Sequence, residues 1–510
     1  MPPSHPWQAL RRYALAASAF GLVLAALYML YAPVLTAPLF FDDELITRDS
    51  FRADYGQLLT ARVRVIAYHS IVALERFFGD QHIPFQRAVN VALHALVAAT
   101  LYLFYRRLLA ALGAAESSAG GAASAVSTHS GALPAGRWAI LVCAFLALAF
   151  LFHPLSVYGV AYLVQRSILL CTLFSLLALW ATLVWAELGG ALRLAAAVGA
   201  YGLALLSKEY ALALPVAMFG LAIIIRRLRP QQVILALAPF LLLALVAVGF
   251  IWRKYGAFIG QPFDQNSLAY VAQLAQLEPG IDKRIWPLSI ANEMRLFFHY
   301  GALWFIPNVG AMAVDLRPRF PLRFDDLALL LGVAGYLGLL AFALIGIFSA
   351  RPRVRLAAWA LLTVTTLYVT EFVTVWIQDP FVLYRSYLWA IALPGVVLAI
   401  TPAEAPAHNQ ARVAAAAAAL GFITVLAALA SDRIDSMRSP LALWSDAVAK
   451  LPEALTPGQS RPYFNRGAAY RDQGQIQLAL RDFEQSTRLG DGGEGLFATA
   501  EWLVASGRRG

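Results

Sequence analysis

Three adjacent carboxylates form the clearest chemical feature of the sequence. Residues 40–44 read Phe-Phe-Asp-Asp-Glu and directly follow a long apolar stretch. Neighbouring carboxylates repel one another and are costly to dehydrate at a membrane boundary, so a raised pKa is expected. Asp42, Asp43 and Glu44 are therefore candidates for a general base, a cation site, or both. The alternative is the solvated start of an acidic loop.

Cationic residues in three other segments are candidate ligands of a phosphate. Lys208 precedes Glu209 in a short Ser-Lys-Glu-Tyr sequence, and Arg385 lies among aromatic residues. Arg166 follows a His-Pro segment. Arginine binds phosphate through paired hydrogen bonds, whereas lysine binds it through a compact positive charge. For Lys208 and Glu209, a solvated turn is an equal alternative.

Isolated polar residues in apolar segments form a second group of candidates. Asn90 and His94 lie one helical turn apart and must find partners inside a helical bundle. They could belong to a site or only join helices. His153 precedes Pro154, which is expected to break a helix and to place His153 and Tyr162 near the external surface.

The composition predicts a membrane environment for these residues. Of 510 residues, 60% are hydrophobic and 14% are charged, with a net charge of +10. Soluble domains contain about 45–50% apolar and 25% charged residues. The basic residues occur in short clusters between apolar runs, as in cytoplasmic loops, which argues against nucleic-acid binding.

Apolar segments divide the chain into eleven predicted spans. They cover residues 13–31, 85–105, 138–152, 167–185, 192–206, 210–225, 233–251, 327–348, 357–376, 387–400 and 414–430. The first could instead be a signal peptide. The Lys/Arg bias of the short loops places the N-terminus in the cytoplasm, and an odd number of spans places the C-terminus outside. The acidic segment, Lys208 and Arg385 then face the same outer side.

The segments between spans complete an all-α prediction. Residues 1–430 form the membrane domain, with external loops 37–84 and 252–326 and a cytoplasmic linker at 108–136. Residues 61–78 are predicted to form a helix in the membrane interface. The tail, residues 431–510, has the spacing of one tetratricopeptide repeat, for which an ordinary helical hairpin is the alternative. Cys143 and Cys171 lie in apolar runs and are expected to be buried thiols.

The chain resembles the TMTC-type transmembrane-and-tetratricopeptide O-mannosyltransferases and their bacterial relatives, in the GT-C glycosyltransferase superfamily. The matching segments are the acidic motif at 41–43, Asn-x-x-Leu-His at 90–94, His-Pro to Arg at 153–166, Leu-Ser-Lys-Glu at 206–209, and the repeat-bearing tail. Two departures are Gly-Gln-Leu-Leu at 56–59, where the family has Arg-Pro-Leu, and Tyr-Arg-Ser at 384–386, where it has Glu-Arg-Tyr.

This resemblance implies inverting transfer of a sugar from a polyprenyl phosphate to an acceptor hydroxyl, at the periplasmic or luminal face. The implied roles are a base at Asp43 or Asp42 with Glu44 nearby, lipid-phosphate ligands at Arg385, Lys208 and Arg166, and positioning by His153, His94, Asn90, Tyr162 and Glu209.

The expected partners are the bilayer, the lipid-linked sugar and a protein acceptor held by the tail. A bacterial inner membrane is the expected location. The sequence requires no cofactor and leaves a divalent metal open, since it lacks nucleotide-binding glycine motifs. A flippase of lipid-linked sugars and a non-catalytic membrane scaffold are the alternatives, although no repeated halves typical of transporters are visible.

Overall fold

The fold is all-helical in the computed structural model of the chain. The structure describes residues 6–58, 60–79, 82–119, 132–226, 230–256, 259–262 and 265–490, with residues 497 and 500. These residues contain no strand, and their β-type pairing is confined to two isolated bridges, Pro262 with Val375 and Leu316 with Phe381. Residues 120–131 of the predicted linker, and residues 491–510 of the predicted tail apart from 497 and 500, lie outside the described residues.

The helices follow one another along the whole described chain. The α-helices are α1 Pro6–Leu35, α2 Asp49–Tyr55, α3 Val65–Phe78, α4 His82–Ala119, α5 Gly136–Leu151, α6 Pro154–Val160, α7 Arg166–Leu188, α8 Ala191–Ser207, α9 Leu214–Arg226, α10 Pro230–Tyr255, α11 Gln265–Leu277, α12 Ile285–Phe305, α13 Leu327–Gly346, α14 Pro352–Tyr368, α15 Leu393–Ile400, α16 Asn409–Ser436, α17 Pro440–Ala449, α18 Ser460–Asp472 and α19 Ile476–Arg488. Short 3-10 turns are Phe41–Thr47, Leu163–Gln165, Glu209–Ala213, Ile281–Arg284, Val309–Ala311, Val369–Phe372, Leu383–Tyr387 and Trp389–Ala392.

Six of the described helical segments are long and apolar enough to cross a bilayer. They are His82–Ala114, Leu163–Leu188, Ile234–Lys254, Leu327–Gly346, Leu383–Ile400 and Asn409–Ser436. A seventh arises if α5 and α6, bent by 59°, form one span. Three shorter apolar helices are Phe20–Leu35, Ala191–Ser207 and Glu209–Ile225. These helices are compatible with an integral membrane protein, while the predicted count of eleven spans stays a prediction.

Large apolar side chains on the outside of the bundle fit the same environment. Helices α10, α13 and α16 carry exposed residues that include Ile234, Leu235, Leu245, Leu331, Ile345, Leu420 and Val425. In water, such a surface would be strongly unfavourable, whereas lipid tails are as apolar as the side chains themselves. These faces are therefore suited to lipid.

Small residues allow close packing at the centre of the bundle. A Cβ atom added to Gly395 of α15 would lie 2.9 Å from the Cβ of Ala360 in α14. One added to Gly220 of α9 would lie 3.2 Å from the indole ring of Trp359. The Trp359 indole N–H also donates a hydrogen bond to the Ala217 carbonyl at 2.9 Å. Close approach of this kind is typical of helices packed in membranes.

The two predicted external loops contain helices. Helix α3, predicted within loop 37–84, buries one face that includes Tyr68 and Ile71. Within loop 252–326, helix α12 extends for 21 residues and buries Glu293. Helix α12 is absent from the predicted spans because its charged and polar residues reduce its hydropathy. Its partners in the bundle cover those residues.

Helix boundaries elsewhere follow from local sequence. The predicted break at Pro154 is present, because α5 ends at Leu151 and α6 begins with the proline at its first position. Helix α4 continues to Ala119, so residues 108–119 of the predicted linker are helical. Alanine and leucine, which are strong helix formers, dominate that stretch.

The described part of the tail contains α17 and a helical hairpin made of α18 and α19. Gly467 in α18 faces Phe483 in α19, where an added Cβ would lie 2.8 Å from the ring. Gly474 forms the turn between the helices with a φ of +75°, which favours glycine. Small and aromatic residues therefore set the spacing of the two helices.

Candidate functional site

The acidic turn Phe41–Thr47 is fixed by its buried carboxylate. Asp43 is fully buried, and its two carboxylate oxygens accept backbone N–H groups of Val164 at 2.8 Å and Leu163 at 3.2 Å. Burial raises the pKa of Asp43 to about 7, although those N–H groups and the charge of Arg87 act in the opposite direction. Asp43 thus joins the acidic turn to the 3-10 turn before α7.

Asp42 is an exposed carboxylate of this turn and lies beside other candidate site residues. The side chains of Asp42 and Glu44 are exposed, and the Asp42 backbone N–H donates to the Tyr162 hydroxyl at 3.0 Å. The charge of Asp42 also acts on Tyr162 and Tyr384. Of the three adjacent acids, Asp42 therefore combines exposure with proximity to other site residues.

Lys208 is a buried cation held by neutral groups. Its side chain is 1% exposed and donates to the Gln165 side-chain oxygen at 2.8 Å. The ammonium group lies 4.8 Å from the ring centre of Tyr210 and 4.9 Å from that of Tyr384. Burial, together with the charge of Arg64, lowers the pKa of Lys208 to about 7. An incoming anion would stabilise the charged form.

Arg385 is paired on one side and has a free donor on the other. Its Nη1 donates to a carboxylate oxygen of Glu371 at 2.9 Å, and both side chains are buried. The guanidinium group lies 3.7 Å from the ring centre of Trp376. Its Nε is buried without a hydrogen-bond partner among the described residues. Arg385 therefore retains capacity for a further acceptor.

Two tyrosines connect the acidic turn with these cations. The rings of Tyr162 and Tyr384 have centres 6.0 Å apart, and Tyr384 also contacts Lys208. Tyr384 directly precedes Arg385 in the chain. The structure thus brings Asp42, Lys208 and Arg385 into one neighbourhood, with aromatic side chains between the opposite charges.

Sequence reasoning missed two buried glutamates in this neighbourhood. Glu371 pairs with Arg385, and Glu293 accepts a hydrogen bond from the Tyr368 hydroxyl at 2.9 Å. The other carboxylate oxygen of Glu293 is buried without a partner among the described residues. Burial, with repulsion from Glu371, raises the pKa of Glu293. The position of Glu371 inside a predicted apolar span was the signal that could have identified it.

Arg166 and Asn90 lie beside the site but are engaged with each other. Arg166 is fully buried, and its Nε donates to the Asn90 side-chain oxygen at 2.9 Å. It also donates to the Gln86 carbonyl at 2.7 Å. The Asn90 amide donates to the Leu163 carbonyl at 3.1 Å. These contacts direct Arg166 toward α4 and hold the turn that binds Asp43.

His94 and His153 are also buried with both ring nitrogens engaged. His94 contacts the Tyr387 hydroxyl at 2.6 Å and the Leu151 carbonyl at 2.9 Å. His153 accepts the Leu155 N–H at 3.2 Å, which caps α6. Its Nε2 lies 3.2 Å from the carbonyl of Trp304. His153 was predicted near the external surface, but the packed helices bury it.

Glu209 links α3 to the segment that carries Lys208. Its carboxylate accepts hydrogen bonds from the Arg64 guanidinium, with 3.0 Å between Nε and one oxygen. Arg64 precedes α3 in a left-handed conformation, with a φ of +57°. This pair therefore ties the Lys208 segment to the start of α3.

The part of the chain that the structure describes offers no obvious metal centre. It contains no group of three or more His, Cys, Asp or Glu side chains arranged to hold a metal ion. Cys143 and Cys171 are buried among apolar residues, as predicted.

Comparison of the chain with protein-family models, curated proteins and solved structures finds no match.

Proposed function

We propose that the protein is a membrane-embedded glycosyltransferase that uses a polyprenyl-phosphate sugar and an acceptor hydroxyl. The observation that carries this proposal is the grouping of exposed Asp42 with buried Lys208 and Arg385 across two tyrosine rings. A carboxylate beside two cations provides a proton acceptor and an anion site in one place. The sequence resemblance to GT-C transferases points to the same chemistry.

In this mechanism, Asp42 accepts the proton of the acceptor hydroxyl. At the same time, the oxygen of that hydroxyl bonds to the anomeric carbon of the sugar. The bond between that carbon and the phosphate oxygen breaks, and its electron pair leaves with the lipid phosphate. A single displacement inverts the configuration at the anomeric carbon. Lys208 and the free Nε of Arg385 stabilise the charge that grows on the phosphate.

In the proposal, the remaining predicted site residues hold the proton acceptor and the phosphate ligands in place. Asp43 anchors the turn that presents Asp42, because both of its oxygens bind backbone N–H groups. Arg166 and Asn90 hold the other side of that contact. The two histidines hold helix ends together, and Glu209 orients the Lys208 segment.

The resemblance extends the proposal to the whole chain. It implies a GT-C-like bundle of about eleven spans, a tetratricopeptide-like tail, and a protein acceptor outside the cytoplasm. In a bacterium, the site would face the periplasm. The described hairpin α18–α19 supports the tail assignment through its glycine–aromatic contact, Gly467 against Phe483.

A direct assay tests the assignment of Asp42. Purified protein in lipid nanodiscs is incubated with labelled polyprenyl-phosphate sugars and hydroxyl acceptors, and transfer is measured for wild type and Asp42→Asn. Loss of a general base is expected to lower kcat by about 10²- to 10⁴-fold with donor binding retained. Asp49→Asn is the matched control, because Asp49 is an exposed surface acid that pairs with Arg52. Equal turnover in both variants would exclude Asp42 as the base.

Transport of a lipid-linked sugar is the second candidate, because buried Glu293 and Glu371 resemble the titratable acids of proton-coupled transporters. Liposomes with a fluorescent lipid-linked sugar would distinguish the two functions. Transport would be favoured if the lipid-linked sugar crosses the bilayer without an acceptor, requires a pH gradient to do so, and no longer crosses in Glu293→Gln. Sugar transfer to an acceptor without such movement would favour the transferase.

A further inference from the structure

The residue before the acidic triad has an unusual backbone conformation. Phe41 has a φ of +49°, and among the described non-glycine residues only Arg64 shares a positive φ. A bulky side chain adopts this region only when its surroundings impose it. Because Phe41 begins the acidic turn, its backbone angles set the directions in which Asp42 and Asp43 leave the chain. The contacts that hold Phe41 therefore also orient the carboxylates.

Two aromatic rings from distant parts of the chain hold Phe41. The ring of Trp444, in α17 of the tail, packs edge-on at a centre-to-centre distance of 4.9 Å. The ring of Tyr162 contacts it at 6.0 Å. Trp444 is buried with Ala313 and Ala447 in a small apolar cluster against which Phe41 packs. Phe41 is thus fixed between the membrane domain and the tail.

Helix α17 is itself anchored without any contribution from Phe41. Arg433, at the end of α16, pairs with Asp446 of α17 at 2.9 Å. The Lys450 ammonium donates to the Met312 carbonyl at 2.8 Å, directly before Ala313. Paired charges that are mostly shielded from solvent fix the orientation of a helix well. Trp444 is therefore presented to Phe41 on a rigid support.

Helix α18 reaches the other half of the candidate site. Arg461 pairs with Asp315 and with Asp379, each at 2.7 Å. The latter aspartate lies six residues before Arg385 in the chain, and Leu316 forms a backbone bridge with Phe381 between them. The tail therefore contacts the segment that carries Asp42 and the segment that carries Arg385.

We propose that the tail helices complete the site, with Trp444 as a positioning residue for Asp42. This inference rests on the proposed function in assigning the base to Asp42. Without the Trp444 ring, Phe41 relaxes to an ordinary backbone conformation. The Asp42 backbone N–H then moves away from the Tyr162 hydroxyl, and the Asp42 carboxylate moves with it. Lys208 and Arg385 do not contact Trp444, so the donor phosphate binds as before. The effect appears in kcat more than in the donor KM.

The kinetic experiment compares Trp444→Ala, Trp444→Phe and Tyr463→Ala. Tyr463 is a half-buried aromatic residue of α18 that lies against Arg466, so its loss removes a tail ring without touching the acidic turn. Misplacement of a reacting group predicts a kcat about 10- to 100-fold lower in Trp444→Ala, with the donor KM within about twofold. Trp444→Phe restores most of the rate, and Tyr463→Ala behaves as wild type. Equal losses in the two alanine variants would overturn the proposal.

Protein quality is measured on the same samples by thermal unfolding. If Trp444→Ala does not fold, Phe41→Leu replaces it, because this change removes the other ring of the contact and leaves α17 intact. The same selective loss of kcat is expected. A Phe41→Leu variant with the wild-type rate would count against positioning through this contact.

A second measurement does not depend on activity. Glu44→Cys places a thiol on the exposed side of the acidic turn, and its reaction rate with a maleimide reports the position of the turn. The rate is expected to change when Trp444→Ala is added and to stay constant with Tyr463→Ala. If Trp444→Ala changes the labelling rate but the wild-type protein has no transferase activity, the positioning contact is supported and the proposed function is rejected. Active transferase with unchanged labelling and unchanged kcat would reject the positioning contact alone.

Discussion

Adjacent side chains in the acidic turn have different environments, and this difference decides their chemistry. Asp42 is exposed whereas Asp43 is buried, although they are neighbours. A 3-10 turn has three residues per turn, so consecutive side chains point about 120° apart. Asp43 points to the turn before α7 and Asp42 points to solvent. The proposed base, Asp42, and its anchor, Asp43, are therefore adjacent residues with different environments.

At the same scale, Lys208 is predicted to act through its charge. Lys208→Met keeps the length of the side chain, so it preserves packing at a position that is 1% exposed. Removal of one stabilising group from a developing anion is expected to lower kcat by about 10²- to 10³-fold. Lys283→Met, an exposed lysine outside the site, is the control. Similar transfer rates in the two variants would exclude Lys208 as a phosphate ligand.

Asp43 is predicted to make stability depend on pH. Its pKa of about 7 exceeds the value of 3.8 expected in the unfolded chain, so the folded protein binds the proton more tightly. Its contribution to stability is therefore full below about pH 4 and is lost as the pH rises to about 7. Thermal unfolding of the wild type should show stability falling as the pH rises from 4 to 8. Asp43→Asn should lack this pH-dependent fall. An identical slope in both proteins would contradict the assignment.

Asp43→Asn should also weaken the turn above about pH 7, where the Asp43 side chain is a carboxylate. An amide offers one acceptor oxygen where the carboxylate offers two, so either Val164 or Leu163 loses its partner. A buried N–H group without a partner costs about 1–3 kcal/mol.

At the scale of elements, hydrogen bonds between α3, α4 and α7 hold the acidic turn in place. Arg166 at the start of α7 donates to Asn90 and Gln86 of α4 and, at 3.3 Å, to Ser70 of α3. Its acceptors are neutral, so the guanidinium group depends on the geometry of all three helices. The same asparagine holds the Leu163 carbonyl.

Arg166→Lys is therefore predicted to reduce stability more than catalysis per folded molecule. An ammonium group cannot reproduce the planar arrangement of donors, and each lost bond to a charged group costs about 1.5–3 kcal/mol. Arg193→Lys is the control, since Arg193 makes an exposed contact with the Gly189 carbonyl. Thermal unfolding and transfer rates, corrected for the folded fraction, measure the two effects. A normal unfolding temperature with a strongly reduced kcat would instead indicate a direct role at the phosphate.

At the scale of the whole molecule, the tail and the acidic turn are expected to lie on the same side of the membrane. The contact between Phe41 and Trp444 requires this arrangement. Helix α16 is long and apolar enough to separate the tail from the segment before it, residues 401–408. Single cysteines at the exposed positions Glu404 and Glu453 would therefore report opposite sides.

With intact cells, an impermeant maleimide is expected to label Glu453→Cys and to leave Glu404→Cys unlabelled until the membrane is permeabilised. Cys143 and Cys171 are buried and serve as the internal background. Labelling of Glu404→Cys alone would reverse the predicted orientation. Labelling of both positions in intact cells would show that α16 does not cross the bilayer.

Much of this architecture was predictable because hydropathy and helix termination are local properties. The long apolar helices, the break at Pro154 and the burial of both cysteines follow from residue type and spacing. The acidic turn, Lys208 and Arg385 were also identified as chemical candidates from their types alone. Helix α12 was not, since its Glu293 is acceptable only inside a folded bundle.

The sequence by itself determined an apolar helical chain and a short set of reactive side chains. The tertiary structure decided that Asp43 is an anchor, that Arg166 is enclosed by neutral acceptors, and that Arg385 pairs with Glu371. The physical reason is that burial and pairing depend on contacts between residues far apart in the chain. Asp43 and Val164 are separated by 121 positions, and no local pattern encodes their contact.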